Sequence, residues 1–131
     1  MTPLEVITAY ATAMRSGDRQ AAFAFFSDDI VGYAPGRSGL AGVKRGKAAV
    51  LGYIETVVAH VRDRVELEVI DTLVGAEHVG LLVRELLGEG DDRIEIRRLN
   101  VYRIVDDRIV EIRIFEADQY AVDEWTAAQG H

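Results

Sequence analysis

Residues 31–42 read VGYAPGRSGLAG and are followed by the basic turn KRG at 44–46 and an amphipathic run to residue 61; this stretch decides the fold. The Pro-Gly step interrupts a short extended run at residues 30–33, because proline restricts the residue before it and glycine permits a turn. Beyond Gly46, apolar residues recur from Val50 to Val61 at helical spacing, which predicts a helix with one buried face. The glycine-rich loop therefore joins a strand to a helix, and we expect it at the mouth of a pocket.

Two further helices are predicted ahead of this stretch. Apolar residues recur with helical spacing between Leu4 and Met14, and Gly17 supplies a stop. Asp18 is a good N-cap for a second, short helix that carries Phe26 on its apolar side and closes at residues 27–29.

After residue 61 the hydrophobic period changes from helical to alternating. A β run begins at Val65, and three more follow at about 79–88, 94–105 and 109–117, separated by turn-forming residues. A last helical turn or two is predicted at about 119–127. Four successive strands imply an antiparallel sheet, so residues 1–131 are expected to form one α+β domain with helices covering one face of a curled sheet. The concave side of such a sheet is a natural pocket.

Composition excludes several classes of function. The chain has 131 residues, no cysteine and a net charge of -7, so a disulfide framework and a thiolate metal site are ruled out and a nucleic-acid partner is not expected. His60, His78 and His131 stand on dissimilar elements, which predicts no metal site, and no cofactor fingerprint is present. No apolar run reaches bilayer length and the N-terminus lacks signal-peptide features, so we expect a cytoplasmic protein with no membrane partner.

The chain resembles the NTF2-like superfamily over nearly its whole length. The resemblance is to SnoaL-like proteins, and it rests on PGRSGLAG at 35–42, Gly46, VYRI at 101–104, DQY at 118–120 and DEW at 123–125. It implies a cone in which three N-terminal helices pack on a curved antiparallel sheet. Ketosteroid isomerases, polyketide cyclases and limonene epoxide hydrolases share this scaffold, so the resemblance is specific for fold and weak for chemistry.

The turn at residues 104–109 decides which side chains face the pocket. With a three-residue connection and Asp107 in the left-handed bulge position, even-numbered residues of the last two strands share a face. A two-residue loop would reverse this parity. We expect three residues, which places Arg98, Asn100 and Glu116 among apolar neighbours on the pocket face.

The resemblance to ketosteroid isomerase implies candidate catalytic residues. Tyr10 falls where that family keeps its oxyanion tyrosine and Asn100 where it keeps an aspartic acid; both side chains can donate a hydrogen bond to a carbonyl oxygen. The position of the catalytic base falls on Ala34. Glu116 or Asp118 is hypothesised to act as the base instead.

The catalytic aspartate of the cyclases and epoxide hydrolases falls on Ile114, and the epoxide hydrolases' arginine and aspartate fall near Arg84 and Leu86. Each known catalytic set is therefore incomplete. Structural alternatives stay open: Tyr10 as a core aromatic, and Arg98 with Glu116 as a cross-strand ion pair, which is the interpretation we favour. The residues expected to contact a ligand are Tyr33, Arg37, Tyr53, Arg98, Tyr102, Ile112 and Ile114.

Two functions remain open at this point. The first is a pocket protein for a small, largely apolar, carbonyl-bearing molecule, with isomerisation or aldol cyclisation as the reaction if there is one. The second is a non-catalytic binding or dimerisation module. In the resembling family the convex sheet face often forms a dimer, so we expect a homodimer through the face that carries Leu99, Arg113 and Phe115.

Overall fold

The computed structural model describes residues 1–61 and 65–130. They form one six-stranded sheet and four α-helices. The helices are α1 (Pro3–Ser16), α2 (Arg19–Phe23), α3 (Lys47–Val61) and α4 (Gln119–Ala128). The strands are β1 (Phe26–Ala34), β2 (Gly42–Arg45), β3 (Val65–Val74), β4 (His78–Leu87), β5 (Ile94–Val105) and β6 (Arg108–Glu116).

The strand order is β2-β1-β6-β5-β4-β3, and the sheet is mixed rather than purely antiparallel. β1 runs parallel to β6, while every other neighbouring pair is antiparallel. The expectation of an antiparallel sheet holds for the four successive strands and is wrong at the β1–β6 seam. β2, which pairs with β1, was not predicted because four residues between glycines carry no clear alternation.

Capping residues set both ends of α1. Thr2 and Glu5 form a capping box at the start of α1, and Gly17 ends it with φ of 80°. α2 is shorter than predicted, because Phe26 belongs to β1 rather than to the helix. Phe26 is only 2% exposed and packs its ring against Tyr10, so burial in the sheet overrides the helical spacing.

The β5–β6 hairpin has a shorter turn than predicted, but its even-numbered residues still share a face over most of its length, as predicted. Asp106 and Asp107 form a two-residue turn with φ of 51° and 61°, which is the I′-like geometry favoured between twisted strands. Ile104 pairs with Ile109, and an extra residue in β6 then shifts the register, so Tyr102 pairs with Ile112. The three-residue turn is wrong, but this bulge restores the predicted parity from Tyr102 onward.

The core lies between the helices and one face of the sheet. α1 contributes Val6, Ile7 and Tyr10, and α3 contributes Val50. Leu4, which helped to predict α1, is 39% exposed, because the buried stripe lies on Val6 and Ile7. The predicted positions Val58 and Val61, and those of His60 and His131, have side chains outside the described residues.

Candidate functional site

Two adjoining hollows lie on the concave side of the sheet. The first, here the amide cavity, has a volume of about 150 Å³ and is lined by Tyr10, Tyr102 and Asn100 together with apolar residues of α3 and β6. The second, here the carboxylate cavity, has a volume of about 380 Å³ and is lined by Glu85, Glu116 and apolar residues that include Trp125. Ala34, Tyr53, Val57, Arg98 and Ile114 border both cavities, so the two hollows form one continuous site.

Asn100 is the polar centre of the amide cavity. It lies in β5 between Leu81 of β4 and Ile114 of β6, so its flanking neighbours are apolar. Its Oδ1 atom is buried and accepts no hydrogen bond from the residues that the structure describes. Leaving such an atom unpaired costs about 1–3 kcal/mol, and native structures rarely do so without a reason.

Tyr10 and Tyr102 stand beside Asn100, on α1 and β5. Their ring centroids are 5.8 Å apart, and both residues are more than nine-tenths buried. Burial raises the pKa of Tyr102 to about 12 and raises the pKa of Tyr10 well above its ordinary value. Both phenols therefore stay protonated at neutral pH and remain hydrogen-bond donors, which suits the role predicted for Tyr10 as well as that of a core aromatic.

Arg98 borders both cavities and pairs with two buried carboxylates. Its Nε and Nη2 atoms each donate to an oxygen of Glu116 at 2.7 Å, a bidentate pair across β5 and β6. Its Nη1 atom lies 3.7 Å from Oε1 of Glu85. The cross-strand ion pair favoured from the sequence is thus present, and both oxygens of Glu116 are occupied, which leaves Glu116 poorly placed to act as a base.

Glu85 was missed by the sequence analysis. It is 7% exposed, and burial raises the pKa of its carboxyl group, although Arg98 opposes the rise. The available signal was alternation: Val79, Val83 and Leu87 are buried on the same face of β4. An apolar strand with one acidic residue in its buried set indicates a functional or paired carboxylate.

Tyr53 is one of the residues that line both cavities. It comes from α3, one turn after Val50, and burial raises the pKa of its phenol while Arg98 acts in the opposite direction. The Lys44 ammonium lies 5.8 Å from the centre of its ring. Ile112 and Ile114 line the amide cavity from β6, as the predicted parity requires.

Three predicted site residues have other surroundings. Asp118 is exposed, lines neither cavity, and caps α4 by accepting from the Ala121 N–H at 3.0 Å. Arg37 is exposed and also lies outside both linings; its backbone N–H donates to Asp123. Tyr33 borders the amide cavity, but its ring lies 3.7 Å from the Arg113 guanidinium, in register with Arg113 on the opposite sheet face from Ile112.

The positions that catalyse reactions in the resembling families carry no acid here. Ala34 and Ile114 both line the site, and both are apolar. Among the described residues, no group of three or more His, Cys, Asp or Glu side chains is placed to hold a metal. No helix in the described part of the chain is long and apolar enough to cross a membrane.

Comparison with known proteins settles the family. The family model described as the SnoaL-like domain matches residues 7–112, which include most of α1, the glycine-rich loop and most of the sheet. The chain belongs to the SnoaL-like domain family. No curated protein matches its sequence.

Solved structures share the fold of this SnoaL-like protein. Bal32a from a soil-derived mobile gene cassette is 22% identical with a TM-score of 0.85, over 94% of this chain and 95% of the other. An NTF2-like protein from Burkholderia xenovorans is 20% identical with a TM-score of 0.75, over 95% of both chains. TerC, co-crystallised with polyporic acid, is 16% identical with a TM-score of 0.78, over 95% of this chain and 98% of the other. The NTF2-like cone expected from the sequence is thereby confirmed.

Proposed function

We propose that this SnoaL-like protein binds a small, largely apolar molecule through a carbonyl group held in the amide cavity. The observation that carries the proposal is a buried amide oxygen without a partner, beside two buried tyrosines, in an apolar hollow. Asn100 Oδ1 is unpaired among the described residues, and Tyr10 and Tyr102 line the same hollow. The unpaired oxygen destabilises the empty protein. It is an acceptor, so a ligand satisfies it by bringing a hydroxyl or N–H beside its carbonyl, while the phenols and Asn100 Nδ2 donate to the carbonyl oxygen.

The chemistry of these groups favours a carbonyl ligand. Two phenols that stay protonated are donors, and an amide adds further donors through Nδ2. A carbonyl oxygen accepts two hydrogen bonds and brings no charge that would oppose burial. The remaining lining, with Val50, Ile112 and Ile114, suits an apolar body.

Binding without turnover agrees best with the residues around the cavity. Isomerisation or aldol cyclisation by proton abstraction needs a free base near the carbonyl. Ala34 offers none, Glu116 is held by Arg98, and Asp118 caps α4. Glu85 pairs with Ile96, four residues before Asn100, and so lies about 13 Å from the amide. The open hollow favours a ligand-binding role over a module whose interior is filled by its own side chains, and TerC gives a precedent for a small molecule on this fold.

The test compares acetophenone with ethylbenzene, which differ only in the carbonyl. We expect the wild-type protein to bind acetophenone more tightly, with the carbonyl stretching band shifted to lower frequency in the infrared spectrum. Asn100→Leu and Tyr10→Phe each remove one polar partner and are expected to weaken acetophenone binding about fivefold to tenfold while leaving ethylbenzene unaffected.

The matched control is Tyr120→Phe, because Tyr120 is 89% exposed and lies on α4 outside both cavities. It should bind both compounds as the wild type does. Equal affinity of the wild type for acetophenone and ethylbenzene, with no shift of the carbonyl band, would refute a carbonyl site.

A further inference from the structure

The carboxylate cavity holds an uneven set of buried charges. Arg98 carries one positive charge, and Glu85 and Glu116 carry two carboxylates. The side chains are 17%, 10% and 3% exposed, respectively, so solvent screens them poorly. When both carboxylates are ionised, the cluster has an excess of one negative charge.

Arg98 satisfies the two carboxylates unequally. Its two short hydrogen bonds both go to Glu116, whereas Glu85 is 3.7 Å away, beyond hydrogen-bond distance. The Glu85 carboxylate receives no hydrogen bond from the described residues, although its side chain is nine-tenths buried and lines the cavity. A buried carboxylate in this state lacks the donors that it would have in water.

The residues that line the cavity around Glu85 indicate what the remainder of a bound ligand would be. Leu67, Leu87 and Trp125 border the same cavity, so an apolar body can pack beside the carboxylate. Besides Arg98, Lys44 lines the neighbouring amide cavity, and it lies against Tyr53 rather than beside Glu85. The partner that is missing from the cluster is therefore a positively charged donor attached to an apolar skeleton.

We propose that the carboxylate cavity binds the ammonium group of an apolar amine, with Glu85 as its counter-ion. This inference rests on the proposed function, because the same ligand would place its carbonyl beside Asn100. Glu85 pairs with Ile96, four residues before Asn100 on β5, so the two groups would be separated by about 13 Å at strand spacing. The ligand class is thus an elongated amino ketone or a related amine with a distant carbonyl.

The experiment uses phenethylamine, phenethyl alcohol and phenylacetate, which share a benzene ring and differ in the charge of the terminal group. Dissociation constants for the full chain are measured by calorimetry at neutral pH. We expect phenethylamine to bind at least tenfold more tightly than phenethyl alcohol, because a charge-assisted hydrogen bond in a buried site is strong. Phenylacetate should bind least.

Two variants test whether the preference for the amine depends on Glu85 in particular or on any carboxylate of the protein. Glu85→Gln keeps the shape and removes the charge, so the preference for the amine over the alcohol should disappear. Glu77→Gln removes a carboxylate whose side chain is 51% exposed and paired with Arg103, and it should keep the preference. The comparison of ligands on the wild-type protein tests the proposal even if Glu85→Gln fails to fold.

The outcomes distinguish this inference from the carbonyl site. Amine binding no tighter than alcohol binding overturns the ammonium site, and so does an amine preference that survives in Glu85→Gln. If acetophenone still binds through Asn100 in that case, the carbonyl site stands alone. If neither compound binds, both proposals are refuted.

Discussion

Replacement of Arg98 by methionine should be the most damaging single change in the sheet. The methionine keeps the bulk of the side chain but leaves Glu85 and Glu116 without a cation in a cavity where their side chains are 10% and 3% exposed. Removal of one partner from a buried ion pair typically destabilises a protein by about 3–5 kcal/mol. With a urea m-value of about 2 kcal/mol/M, the unfolding midpoint should fall by about 1.5–2.5 M.

The loss of stability in Arg98→Met should depend on pH. Without the guanidinium, nothing opposes the effect of burial, which holds the pKa of the Glu85 carboxyl group in the folded state above that in the unfolded chain. A carboxyl group of this kind stabilises the folded state fully below its unfolded pKa, and that contribution is lost as the pH rises through its folded pKa. The variant should therefore be closest to the wild type near about pH 4 and furthest from it near about pH 8.

The assay is urea unfolding followed by fluorescence of the single tryptophan, Trp125, whose indole N–H donates to the carbonyl of Asp92. The matched control is Arg103→Met, because Arg103 and Glu77 form an exposed pair whose loss should cost less than about 1 kcal/mol. Additional replacement of Glu85 and Glu116 by leucine should restore much of the stability lost in Arg98→Met. A midpoint shift no larger than that of Arg103→Met, at every pH, would refute this account of the cluster.

Three further changes test the loop, the last helix and the convex face. Gly36→Ala should destabilise the protein by more than about 1 kcal/mol in thermal unfolding, because φ is 101° and a Cβ would overlap the Asp123 carboxylate; an unchanged midpoint would contradict this. Asp118→Ala should cost about 1 kcal/mol and Asp118→Asn almost nothing, measured by urea unfolding, since the side chain caps α4; equal losses would argue against capping. Phe115→Asp should convert the proposed homodimer to monomer in sedimentation, because Phe115 is 52% exposed beside Leu99; a wild-type monomer would refute that interface.

Local signals predicted the elements well where one residue type fixes the backbone. Gly17 ends α1, Asp18 caps α2, and the helix after Gly46 spans Lys47–Val61 as expected. The strand at residues 94–105 has the predicted bounds. These features depend on caps, turns and periodicity within a few residues, which a sequence displays directly.

Features that depend on distant partners were harder to predict. The bulge in β6 is invisible locally, because Ile109, Val110 and Ile112 are all apolar and suit either parity. The start of β1 was not predicted because Phe26 continues the helical spacing of α2 in the sequence. In the structure Phe26 begins β1, and its ring packs against Tyr10.

The candidate site was predicted unevenly for the same reason. Arg98, Asn100 and Glu116 stand out as polar groups on a pocket face, and all three line one or both cavities in the structure. Glu85 was missed because its significance comes from Arg98 on the neighbouring strand. Asp118 was proposed as a base because it closely follows the last strand. In the structure its side chain instead caps the start of α4.

The stability and ligand binding of Asn100→Leu, measured together, test the central claim most directly. If the protein keeps an unpaired amide for a ligand, the variant without ligand should be as stable as the wild type or about 1 kcal/mol more stable, because leucine removes a buried polar atom that has no partner. Acetophenone should then raise the unfolding temperature of the wild type and not that of the variant. A variant that is clearly less stable, or one that acetophenone stabilises as much as the wild type, would contradict the account.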